Sequence, residues 1–448
     1  MENKLSPRPI DRILSPFEQF FRIEASGGIL LLIATISALA WVNSPWSDSY
    51  QELWQTKITI GPSGFDLSKA AILWVNDGLM AVFFFVVGLE IKREVLFGQL
   101  SSTRAAALPI FAAVGGMAVP ALIYVFFNIG GPGIDGWGIP MATDIAFALG
   151  ILALIGSRAP LSLKIFLTAL AIVDDLGAVL VIAIFFTDQL GIVSLGIAAL
   201  FAILLFGANF VGIRNPLVYF LLAFGLWVAF LKSGVHPTLA GVIAAMAIPS
   251  TKLADDRQLH ERLQNLTVQF GSIVHDQKEK IEKRRKQVIH ELESATAHAG
   301  SPLSRLEHTL HPWVAFAIMP IFALANAGLQ IDSSTIGALD NRISLGVIAG
   351  LAVGKPIGVV LFTWIAVRTG IASVPAGLSW RAITAGGFLA GIGFTMSLFI
   401  SKLALEHTAE IDVAKAGILI ASVISALIGS AILVLNFRSK QITQPDGA

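Results

Sequence analysis

Apolar residues run in long blocks along this chain, broken by short polar stretches, with neither strict alternation nor a sustained three-to-four residue stripe. Blocks of about twenty apolar residues match the length a helix needs to cross a bilayer. Twelve such spans are predicted, near 25–43, 70–91, 105–128, 138–157, 162–187, 191–211, 215–231, 234–249, 311–331, 343–367, 382–404 and 413–436. Three of them, 138–157, 234–249 and 382–404, are short or dense in Gly and Pro. The pattern predicts an all-α integral membrane protein.

Composition sharpens this. Hydrophobic residues make up 55% of the 448 and charged residues 14%, against about 25% charged in an ordinary soluble domain. Lys4, Arg8, Arg12, Lys92, Arg93, Arg104, Arg158, Lys164, Arg214, Arg368, Arg381, Arg438 and Lys440 fall on one side if the N-terminus is cytoplasmic. That side is then strongly basic, as the positive-inside rule requires. Both termini are thus expected in the cytoplasm, with 1–24 as an N-terminal segment and 438–448 as a tail. The first twenty-six residues lack the compact apolar core and small-residue cleavage site of a signal peptide, so the first span is expected to be retained. With no cysteine, disulfides and thiolate metal sites are excluded. A net charge of +1 gives no argument for nucleic acid as a partner.

Two segments fall outside the membrane pattern. WQTKITIGPSGFDLS (54–68) reads as an outside β-hairpin about a Gly-Pro-Ser-Gly turn. Its free edge suits pairing with a second copy, so a homodimer through 54–68 competes with a plain structured loop. The segment 251–310 holds ten Lys/Arg and nine Asp/Glu. Within it Leu259, Leu263, Leu266, Phe270 and Ile273 form a short heptad-like stripe, followed by KEKIEKRRK. It reads as a cytoplasmic helical insert. Pairing, contact with anionic lipid and simple solvation are its open roles.

The chemistry lies in the few charges inside the spans. Asp174 and Asp175 are adjacent in IFLTALAIVDDLGAVLVIAIFF (165–186), with no other charge between Lys164 and Asp188. Each ionised carboxylate at such a depth costs roughly 2.5–3.5 kcal/mol, and neighbours repel. Something must offset that cost: a cation, a proton or a basic partner. Asp144, in GIPMATDIAFALG (138–150), stands beside Thr143 and Pro140. It reads either as a hard-oxygen cation ligand in a broken helix or as a helix N-cap, and a broken helix supplies both. Lys355, in GLAVGKPIGVV (350–360), invites a salt bridge to the aspartates, static or broken during transport. Asp77, Glu90 and His236 complete the buried set. Gly386, Gly387, Gly391 and Gly393 would tolerate an unwound stretch in the eleventh span. Interrupted spans in corresponding halves point to a transporter site.

Rival classes fit less well. An intramembrane aspartyl protease needs two aspartates facing from separate helices in Gly-x-Gly-Asp-type motifs, which this chain lacks. Gly61-Pro62-Ser63-Gly64 superficially matches a membrane serine protease motif, yet falls in a loop with no histidine base in place. A channel would show a polar pore and no buried lysine among its acids. A symporter for an organic solute would show a larger polar cluster.

Taken in order, WVNDGLMAVFFFVVGLEIKRE (74–94), ATDIAFALG (142–150), ALAIVDDLGAV (169–179), SGVHPTLAGV (233–242), LEHTLHPWVAF (306–316), FALANAG (322–328), VGKPIG (353–358) and GIGFTMSLFI (391–400) resemble the NhaA-type sodium/proton antiporters. The resemblance implies inverted repeats, spans three to five against ten to twelve, with spans four and eleven broken and crossing near the midplane. It implies a bacterial-type inner-membrane exchanger of Na+, or Li+, for H+, electrogenic and regulated by pH, with no cofactor and no organic substrate. Asp174 and Asp175 would bind the cation and proton; Thr143 and Asp144 would line the crossing as part of the cation- and proton-binding set, Asp144 compensating half-helix dipoles or assisting the cation; Lys355 would pair with Asp174, compensate charge or carry a proton. Asp77 would face the outward route. Glu90, Arg93, Glu94, Glu307, His308 and His311 would form a pH-responsive cytoplasmic mouth, with His236 also affecting pH dependence. The 262–300 region is longer than this family's loop leads one to expect.

Overall fold

The helix α6, Leu161–Phe185, carries both aspartates near its middle and is the axis about which the site is built. The structure, a computed structural model, describes residues 26–61, 67–187, 190–251, 301–332 and 337–442. The N-terminal segment 1–24, the Pro62-Ser63-Gly64 turn, the heptad-like stripe, the basic run and the last residues of the tail lie outside the described residues. Elsewhere the chain is almost wholly helical. Among the described residues, eight helices are long and apolar enough to cross a membrane, or up to ten if each of two bent pairs is one span.

The order is α1 (Ser26–Val42), α2 (Ser47–Gln55), a hairpin of β1 (Lys57–Ile60) and β2 (Leu67–Ala70), then α3 (Ala71–Phe97), α4 (Thr103–Asn128), a run of 3-10 turns over Pro132–Met141, α5 (Ile145–Ile155), α6, α7 (Ile192–Phe210), α8 (Pro216–Leu231) and α9 (Leu239–Ala247). After the described chain resumes come α10 (Pro302–Asn326), α11 (Arg342–Arg368), α12 (Trp380–Ala390), α13 (Phe394–Ala404) and α14 (Thr408–Ile442). The strands are antiparallel, with Lys57 opposite Ala70 and Ile60 opposite Leu67. The second strand therefore extends past the predicted limit at 68, and β1 is exposed along its whole length. The predicted boundary at 310 also shifts. Residues from Pro302 onward belong to the same helix as the ninth span, opened by a Ser301 cap whose Oγ accepts from Ser304 N–H at 3.2 Å.

α9 is much shorter than the predicted 234–249. Pro237 offers no donor at its start, and Pro249 ends it. Lys92 on α3 closes its C-terminus by donating to the Met246 and Ile248 carbonyls at 2.5 and 2.6 Å, a cation placed on a helix's negative end.

Most buried apolar residues form one core drawn from α1, α3–α6 and α10–α14. α7, α8 and α9 form a second cluster, with Leu205, Tyr219, Leu226 and Trp227 packed towards Leu89 of α3. α4 and α11 approach backbone to backbone: a Cβ on Gly358 would collide with the Gly115 carbonyl. That contact brings the middle of α11, with Lys355, against the helices that surround α6. Single π turns interrupt α3 at Trp74–Leu79, α10 at Val314–Ile318 and α11 at Gly350–Gly354. The first holds Asn76 and Asp77, and the last ends beside Lys355, in keeping with the frequency of such turns at functional sites.

Candidate ion site

Two interrupted helical segments meet beside α6. One breaks at Ala142–Asp144, between the 3-10 run and α5. The other breaks at Gly391–Gly393, where α12 and α13 diverge by 46°. Glycine is needed at the second break, because a Cβ on Gly391 would run into the Leu351 carbonyl. An interruption frees backbone groups that must find partners when water is absent. Here they find them mainly between the two breaks. Asp144 N–H donates to Ile392 O at 2.7 Å. Thr143 Oγ1 donates to Ala390 O at 2.8 Å, and Ser397 Oγ to Ile139 O at 2.7 Å. Phe394 N–H donates to Ser422 Oγ of α14 at 3.2 Å.

Asp144 serves both helix ends. Its Oδ1 accepts from Phe147 N–H at 2.9 Å, capping α5. Its Oδ2 accepts from Thr395 N–H at 3.1 Å and from the Thr395 hydroxyl, at the start of α13. One carboxylate thus faces two positive helix N-termini. Of the two readings open in the sequence, the cap is the one made in this geometry, and Asp144 and Thr395 are both buried.

Lys355 is fully buried at the same place. Its Nζ donates to Asp174 Oδ2 at 2.5 Å and to the Met141 carbonyl, the last of the 3-10 run. The ammonium therefore answers both a carboxylate and a negative helix end. Asp174 Oδ1 is buried without a hydrogen-bond donor. Asp175 is 2% exposed, and among the described residues no hydrogen bond or ion pair reaches it. The site thus has carboxylate oxygens with no donor, next to one cation already in place. Unengaged carboxylate oxygens suit a small hard cation or a proton. A buried carboxylate left with neither would be costly.

The structure brings together Thr143, Asp144, Asp174, Asp175 and Lys355. Asp77 is elsewhere, in an ion pair with Lys69 of β2 at 2.8 Å, and Trp227 Nε1 donates to its backbone carbonyl at 2.9 Å. Next to it, Asn326 Nδ2 of α10 donates to Asn76 Oδ1 at 3.0 Å. A second cluster gathers where α3 meets the start of α10. Arg93 pairs with Glu307 at 2.6 Å and Glu94 at 3.1 Å, and His311 Nε2 stands 3.9 Å from Glu90 Oε1. His308 shares that helix and is exposed. His236 precedes α9. Its Nδ1 is 2.7 Å from Thr238 Oγ1, and its ring meets Phe399 of α13 edge to face.

Thr395, Ser397, Ser422 and Lys69 were not singled out from the sequence. Thr395-Met396-Ser397 is a hydroxyl pair in an otherwise apolar run, which is a readable signal. Ser422 and Lys69 carry no such mark: Ser422 acts on a residue 28 positions away, and Lys69 reaches Asp77 from a strand.

The family model described as Na+/H+ antiporter 1 matches residues 18–433. The chain is 52% identical over 439 residues to the Na(+)/H(+) antiporter NhaA of Oleidesulfovibrio alaskensis, covering 97% of each. It is 47% identical to the NhaA of Koribacter versatilis, covering 95% of this chain and 92% of that one. Against the NhaA of an Escherichia coli strain it is 46% identical, covering 94% and 98%.

Proposed function

We propose how ion exchange works in a chain that belongs to the Na+/H+ antiporter 1 family: Asp175 and Asp174 take sodium and protons in turn, with Lys355 as the balancing charge. The chain is a multi-pass sodium/proton antiporter, and sodium and protons are its substrates. The observation that carries the mechanism is the buried Lys355–Asp174 pair at 2.5 Å beside an Asp175 with no partner of its own.

Two neighbouring carboxylates titrate as a unit. The first proton enters readily because it relieves like-charge repulsion. With protons on the pair, sodium finds few anionic ligands. With the pair ionised, sodium enters and Asp174 is drawn from Lys355 towards the cation. Loss of that ion pair leaves Lys355 buried and uncompensated, which favours release of its own proton. If only cation-loaded or proton-loaded protein reorients, the two ions must exchange. A proton gradient across the inner membrane then drives sodium, or lithium, out. More than one proton per cation makes the exchange electrogenic.

Asp144 holds the two breaks together while neutralising their dipoles, and Thr143 fixes one break to the Ala390 carbonyl. These two and Thr395 position the site, and the aspartate pair binds the ion. Asp77 with Lys69 lines the outward route. The Glu90, Arg93, Glu94, Glu307, His308 and His311 cluster at the cytoplasmic mouth confers the pH response, and His236 adds to it through Phe399.

The wider architecture in this reading has twelve spans within 25–250 and 311–437, with cytoplasmic termini. Spans three to five repeat as ten to twelve, and the breaks cross near the midplane. The 251–310 insert is cytoplasmic, and the hairpin pairs two copies. Purified protein in weak buffer tests the exchange site. Sodium should release protons from the native chain and not from Asp175→Asn. Release undiminished in the variant would place the site elsewhere. A sodium jump across reconstituted membranes should carry net charge if the exchange is electrogenic.

A further inference from the structure

A groove of about 780 Å3 runs between α1, α5 and α14, away from the aspartate pair. Its outer rim includes Leu32, Leu154, Val423 and Leu427, all exposed. α5 and α14 lie in membrane-crossing segments, so the groove opens sideways into lipid. Its inner end reaches Phe394 and Ser422, the pair that holds the break between α12 and α13.

Its walls are almost entirely apolar, and among the described residues Arg158 is the one charged side chain lining it. Arg158 ends the turn Gly156–Arg158 just after α5. It is exposed, and among the described residues it makes no ion pair. An apolar groove open to a bilayer takes up hydrocarbon, because leaving it void forfeits packing. A single guanidinium at its mouth adds a preference. Arg binds phosphate through parallel N–H donors, and an unpaired cation beside a membrane attracts anionic headgroups. A free phosphate would satisfy the guanidinium and leave the groove empty, and a zwitterionic phospholipid would fill both but set its headgroup ammonium against the cation. An anionic phospholipid answers both features without that repulsion.

We propose that this groove is a binding site for one anionic phospholipid, an acyl chain lying between α1, α5 and α14 and the phosphate held by Arg158. The bound chain ends against the α12–α13 break, so it buttresses the crossing from the lipid side.

Photo-crosslinking identifies the occupant. p-Benzoylphenylalanine replaces Leu154 in the full chain, reconstituted in mixed phosphatidylethanolamine and phosphatidylglycerol vesicles. Irradiation followed by intact mass measurement should show a phospholipid adduct. Phosphatidylglycerol should be enriched over its share of the membrane by about fivefold, the factor one basic residue near an anionic surface is worth. Adding Arg158→Gln should remove the enrichment and keep a lipid adduct. A crosslink to residues 1–25 or to a second copy would overturn the proposal. So would the absence of any lipid adduct, adducts in proportion to membrane composition, or an enrichment that survives Arg158→Gln.

Discussion

Lys355 Nζ stands 2.5 Å from Asp174 Oδ2, and neither side chain has any exposed surface. Such a pair holds its energy jointly. Removing one partner strands a charge in a dry interior, at about 3–5 kcal/mol, whereas removing both is close to neutral. Lys355→Met should therefore lower the thermal unfolding midpoint of the purified protein markedly. Lys355→Met combined with Asp174→Asn should recover most of the loss. A single substitution with an unchanged midpoint would mean that the pair is not formed in the resting protein.

Thr395 supplies two of the three hydrogen bonds that reach the Asp144 carboxylate. Thr395→Val keeps the shape and the backbone donor but loses the hydroxyl. Leaving a buried charged acceptor short of one donor costs about 1–3 kcal/mol. Exchange should slow and stability fall, and Thr395→Ser should restore both. Native behaviour in the valine variant would remove the hydroxyl from the account.

These two residues show what the chain discloses on inspection and what it hides. Asp174, Asp175 and Lys355 are legible because charge in a long apolar run has no inexpensive alternative explanation. Asp144 is legible as important, yet its role is not: the same residue in the same broken helix serves as cap or ligand. What decides is Thr395, 251 positions away, and no periodicity carries a contact of that range. Ser422 is hidden for the same reason. The short α9 was readable from Pro237 and Pro249. The π turns were not, because an extra backbone residue in a helix leaves no compositional trace.

Where α3 meets the start of α10, His311 faces Glu90 across 3.9 Å. The strength of that contact depends on the charge each of the two groups carries, so proton concentration can act at the junction of α3 and α10. Replacing His308 and His311 together by Gln should shift the activity–pH profile measured in vesicles. An unchanged profile would remove both from the sensor.

The β1 strand is exposed along its length and pairs with β2 on one side, with its Ile58 carbonyl accepting from Trp74 Nε1 at 3.1 Å. Deleting the hairpin, residues 57–70, and joining its ends through a short Gly-Ser linker should convert a dimer into a monomer in light scattering. Sodium/proton exchange should persist, since both strands lie away from the aspartate pair. A dimer that survives the deletion would place the interface on another face.

The central claim is that sodium and protons compete for the Asp174–Asp175 pair. Its most direct test is sodium-induced proton movement in everted vesicles, scanned from acid to alkaline pH, for the native chain and for Asp175→Asn. Asparagine keeps the size of the side chain and removes its charge, so the fold should stand while exchange disappears at every pH. Exchange in the variant at the native rate would contradict the account and put the ion site elsewhere in the protein.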